Sequence, residues 1–159
     1  MANTQSMCTS FLGELLSATH NFSSANPAQT ASTANTFKAA LYLASATLNA
    51  STTAYSVTGE VTGTGYTPGG VTVTNATNPT STNASTTAGV GYWTPSASIT
   101  YTTVTLSTAF DTMLLYNSTQ SNKAVAVYTF GSQTITAGNF TLTMPTNSTT
   151  AALVRLSTT

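Results

Sequence analysis

From residue 36 onward, apolar and polar side chains alternate in short runs, the period of a strand with one face buried. Residues 36–43 open the series, with Phe37, Ala39, Leu41 and Leu43 on one face and Lys38, Ala40 and Tyr42 on the other. Residues 59–62 read as a short strand entering a turn built from Gly63, Gly65, Pro68, Gly69 and Gly70. Residues 71–74 resume the alternation, and 75–89 form a polar loop with Pro79. Further strands are expected at 90–94, at Ile99 to Tyr101 with Val104 and Leu106, and at 110–116, the most apolar run. Residues 117–122 (NSTQSN) mark a turn into a strand at 124–130. Runs at 134–136 and 140–144 flank a hairpin turn at Thr136-Ala137-Gly138-Asn139, and 151–156 closes the series, with Arg155 opposite Val154 and Leu156.

The N-terminal segment has a different period. Phe11, Leu12, Leu15 and Leu16 are spaced for one or two helical turns over 10–19, with Ser10 as N-cap and Glu14 in the first turn, where the helix dipole favours a carboxylate. Such a helix either presents an apolar arm to a partner or packs on its own domain. Residues 21–35, with Pro27 and no periodicity, read as a linker.

About eight or nine short strands with turn signals every 8–12 residues, and no amphipathic helix between them, predict an all-β fold. The expected architecture is an antiparallel β-sandwich or jelly roll with a short N-terminal helical arm. Residues 1–35 are then arm and linker, and 36–159 the sandwich domain. The abundant threonine fits, because a β-branched side chain suits a half-buried pleated surface.

Composition narrows the function. Six side chains are charged, Glu14, Lys38, Glu60, Asp111, Lys123 and Arg155, which is 4% of 159 residues against roughly 25% in an ordinary soluble domain. Net charge is zero, and three scattered cations are too few to neutralise a phosphate backbone, so no nucleic-acid partner is expected. No apolar run approaches the ~18–20 residues of a membrane span, and the first residues lack a secretory pattern. The Asn-x-Ser/Thr sequons are those expected by chance in so Asn- and Thr-rich a chain. Lack of charge repulsion favours association, so a homo-oligomer is expected.

Catalytic templates find little material. One cysteine, one histidine and three carboxylates, spread along the chain, offer neither a metal cluster nor a paired-carboxylate site. His20 lies far in sequence from most serines, and Cys8 has no apparent partner. The 63–70 glycines lack the lysine and helix of a phosphate loop. No enzymatic activity, cofactor or metal is expected. Lys38 and Glu60 are a candidate structural ion pair, either buried and register-fixing or exposed and weak. Tyr92 and Trp93, before Pro95, are candidate interface residues with Phe11, Leu12, Leu15 and Leu16, core packing being the alternative.

Several stretches carry a resemblance. These are Asn35-Thr36-Phe37-Lys38-Ala39-Ala40-Leu41-Tyr42, Ala46-Thr47-Leu48, Tyr55, Gly59-Glu60-Val61 and the 63–70 turn, then Leu115-Tyr116-Asn117, Lys123-Ala124-Val125-Ala126-Val127 and 130–142. In this order, over about residues 11–155, they resemble small structural proteins of tailed bacteriophages encoded near the capsid gene. The resemblance implies a virion component assembled in the host cytoplasm, a capsid decoration (cement) protein bound to the major capsid protein. Its alternative is a tail, neck or fibre-like adsorption module that binds host glycans.

Overall fold

The computed structural model describes residues 2–23, 34–82 and 89–158, so most of the expected linker and part of the 75–89 loop lie outside the described residues. It is an all-β fold of two antiparallel sheets with one short N-terminal helix. The elements are β1 (Ser6–Met7), α1 (Thr9–Leu16), β2 (Phe37–Leu43), β3 (Val71–Thr72), β4 (Thr80–Ser81), β5 (Val90–Trp93), β6 (Ile99–Asn117), β7 (Lys123–Leu142) and β8 (Val154–Ser157). The larger sheet runs β1-β7-β6-β2-β3 and the smaller β4-β5-β8.

The hairpin of β6 and β7 is the spine. Its turn is the NSTQSN segment, where Ser121 and Asn122 adopt positive φ and the Asn117 Oδ1 accepts from the Thr119 and Gln120 amides, an Asx-type turn. Two expected breaks are absent. The runs at 99–106 and 110–116 form one strand, and the expected turn at 136–139 lies inside β7. The ladder absorbs these misfits as register shifts, at Phe110/Thr112 and Val104/Leu106 among others, with Thr103 and Ala137 at positive φ. A bulge accommodates an extra residue without ending a strand. Residues 59–62 contribute only an isolated bridge, Tyr42 to Glu60.

Strand β2 is covered on both faces, which is why alternation in it gives way to near-continuous burial. On one face Phe37 meets Trp93 of the small sheet at 5.9 Å between ring centroids. On the other, beside Lys38, Tyr116 stacks on Tyr55 at 4.8 Å.

The N-terminal segment is not a free arm. β1 pairs with β7, Asn3 holds Asp111 through its Nδ2 at 2.8 Å, and Cys8 and Phe11 are fully buried. The helix begins earlier than its expected Ser10 cap: Cys8 is the N-cap residue and makes no side-chain cap bond. Glu14 consequently lies beyond the first turn, and tertiary partners replace the dipole as its stabiliser.

Candidate interaction groove

Helix α1 distributes its four candidate apolar residues to three environments. Phe11 points into the core, edge-on to His20 at 4.9 Å and to Phe22 at 5.9 Å. Leu15 is half-buried. Leu12 and Leu16 face outward, at 49% and 93% exposure. Phe22 stacks on Phe37 at 4.3 Å and meets Trp93 at 4.8 Å, which ties the segment after α1 to the small sheet.

Between α1 and β5 lies an open cavity of about 440 Å³, lined by Phe11, Leu15, Phe22, Tyr92, Trp93 and Leu156 among others. Candidates widely separated in sequence, Phe11 and Leu15 on one side and Tyr92 and Trp93 on the other, thus share one groove. Trp93 belongs mainly to the core, only 2% exposed, with its indole donating to Asn75 Oδ1 and Thr77 O. That satisfied donor is what burial of a tryptophan requires, and it decides Trp93 for core packing rather than an interface role. Phe11, fully buried, is likewise a core residue and not an interface residue. Tyr92, Leu12 and Leu16 keep exposed surface.

A polar chain runs under the groove. Lys123 Nζ donates to Glu14 Oε1 at 2.7 Å, and His20 Nε2 lies 2.7 Å from Glu14 Oε2. With its Nε2 proton on the carboxylate, His20 accepts at Nδ1 from Asn117 Nδ2 at 3.0 Å. Asn117 also donates to Asn35 Oδ1, which in turn accepts the Asn21 amide. Burial pushes His20 below its ordinary value; Glu14 opposes that shift and Lys123 adds to it, so the ring is neutral near pH 7. For Glu14 burial raises the pKa, but Lys123 and His20 together outweigh it and leave the carboxyl below its usual range. Both imidazole nitrogens are engaged, so the ring directs neither at a hydroxyl or thiol. Burial, with the Glu14 charge, pushes the Cys8 thiol up to about 11, which keeps it protonated. Sequence spacing gave no sign of this cluster, because Glu14 and His20 meet Asn117 and Lys123 only where the α1 segment packs beside the β6–β7 turn.

Lys38 and Glu60 do not form the expected ion pair. The ion pair among the described residues is Glu14 with Lys123, and the neutral His20 reaches Glu14 by a hydrogen bond. Glu60 is buried and accepts instead from Tyr55 Oη, Tyr66 Oη and the Gly69 amide, each at 2.7 Å. Burial, reinforced by those bonds, raises both phenols far above their ordinary values. Three neutral donors satisfy the carboxylate in place of a cation. Among the described residues no three metal-ligating side chains lie together, and no helix is long and apolar enough to cross a membrane.

Comparison of the chain with protein-family models, curated proteins and solved structures returns no match.

Proposed function

We propose that this chain is a non-enzymatic virion structural protein, a decoration (cement) protein that stabilises a tailed-phage head by binding across major capsid subunits. The observation that carries the reading is the exposure of Leu12 and Leu16 on α1, whose Phe11 and Leu15 line an open aromatic groove, on a β-sandwich framework. The resemblance over residues 11–155 supplies the kind of partner. Such a surface gains affinity by burying apolar area, roughly 25 cal/mol per Å², and many weakly held copies on one shell act together. Localisation is then the virion, and homo-oligomerisation follows from a surface without charge repulsion. The alternative, an adsorption module for host glycans, has Tyr92 as its ring platform but not the buried Trp93.

The test mixes purified protein with expanded capsids and follows binding by size exclusion and negative-stain imaging. Regular decoration of shells is expected, and a Leu12→Ser/Leu16→Ser variant should fold normally and bind about tenfold more weakly, a loss of ~1.4 kcal/mol. Binding to whole host cells but not to shells overturns the reading in favour of the adsorption module.

A further inference from the structure

One edge of β7 is paired along its length by β6, from Asn117 with Lys123 to Ile99 with Leu142. The other edge is paired, among the described residues, only over its first part, by an Ala54 bridge to Lys123 and by Ser6 and Met7 against Val127 and Ala126. Beyond Thr129, which the Gln5 side chain reaches at 3.4 Å, no described strand pairs with it. The open stretch, residues 130–142 (FGSQTITAGNFTL), contains no charge and no proline. Exposed edges are usually guarded by charge, proline or bulges, because a bare row of amides and carbonyls templates another strand, and here only bulges are present.

A second observation concerns what lies beside this edge. Phe110, Phe130 and Phe140 form an aromatic triad with centroid separations of 6.0, 5.0 and 5.4 Å. Phe110 is fully buried, whereas Phe130 and Phe140 pack on the core yet remain half-exposed. Both half-exposed rings belong to the open stretch of β7. On β7 itself the extra residues fall between Thr129 and Gln133 and between Ile135 and Gly138, which leaves Gln133 to Ile135 as its unbulged stretch, the irregularity there lying on β6.

We propose that the outer edge of β7 is a self-association surface, pairing antiparallel with β7 of a second copy of this chain about a two-fold axis near Thr134. Charge decides the occupant. An acidic or basic partner finds no countercharge on 130–142, whereas a second copy brings none to repel. A two-fold contact needs a self-complementary patch, and in this register Thr134 meets its own copy and Ser132 meets Thr136, hydroxyl pairs that hydrogen-bond across strands. This inference goes beyond the capsid reading and does not depend on it.

Sedimentation velocity on the full chain over a concentration series tests it. The wild type is expected to dimerise, and Thr134→Lys/Thr136→Lys, at two exposed edge positions, to raise the dissociation constant at least tenfold with far-UV dichroism unchanged. A wild type that stays monomeric throughout, or a Lys variant that dimerises as tightly, overturns the proposal. Should the Lys variant fail to fold, single cysteines at Ser132, Thr134 and Thr136 decide. Oxidation of at least one to a covalent dimer supports the edge contact, and no crosslink at any of the three overturns it; the fully buried Cys8 does not compete. A dimer that leaves shells bare counts against the capsid reading alone, and decoration by a monomer counts against the β7 contact alone.

Discussion

Glu14 accepts from an ammonium and an imidazole, Glu60 from two phenols and a backbone amide. Both arrangements meet the same requirement, since a carboxylate removed from water needs its lone pairs satisfied. An orphaned donor in either cluster would cost about 1–3 kcal/mol. The Glu14 cluster titrates in an accessible range. His20 is held below its ordinary 6.5 and Glu14 below its ordinary 4.5, so the folded chain binds fewer protons than the unfolded one as pH falls. Stability is therefore complete above 6.5 and declines on acidification, His20 acting first and Glu14 only below about 4.5. Thermal melts at pH 7 and pH 5 should show a lower Tm at pH 5, and His20→Gln should remove most of that difference. A His20→Gln protein that keeps the full pH dependence would place its origin elsewhere.

At the scale of elements, close backbone approach decides where glycine is required. Gly70 has φ +70°, and a Cβ there would stand 1.7 Å from the Ala39 carbonyl oxygen and 2.8 Å from the Ala40 Cα. The turn is thus pressed against β2, which helps seat the Gly69 amide on Glu60. Gly91 in β5 meets nothing within 4 Å and has no positive φ. Urea denaturation should find Gly70→Ala destabilised by about 3 kcal/mol or more, strain and steric overlap adding. Gly91→Ala should change stability by less than about 1 kcal/mol. Equal effects at the two positions would contradict the close packing of the turn. The same scale explains the N-terminal helix: one short helix gains little by itself, and α1 is held by burial of Phe11 and by the β1 strand immediately before it.

Across the whole molecule, six charges are too few to govern association, and two of them, Glu14 and Lys123, are already paired. Contacts made by this chain should therefore rest on apolar burial and hydrogen bonds. Between about 0.1 M and 1 M salt the Debye length shrinks from roughly 10 to 3 Å, and the dissociation constant for self-association should change less than about threefold. A tenfold weakening over that range, measured by sedimentation, would show that charge contributes after all.

The sequence by itself determined what depends on neighbours in the chain. Alternation in 36–43 and 110–116 and the NSTQSN turn specified strands and their reversal, and the Phe11 to Leu16 spacing specified a helix. Scarcity of charge was equally legible. Lateral relations were not. Alternation locates a strand face but does not say that both faces of β2 are covered, nor that Phe11 and Trp93 end as core residues beside one groove. It placed Lys38 and Glu60 near each other, yet only the closed fold brought Tyr55, Tyr66 and Gly69 to the carboxylate and left the ion pair unmade. The stretches at 107–109 and 136–139 looked like breaks because apolar alternation lapses there. They are strand because β6 and β7 pair across them, through bulges that only the ladder reveals. Pairing energy comes from residues distant in sequence, and it is realised only when the chain closes on itself.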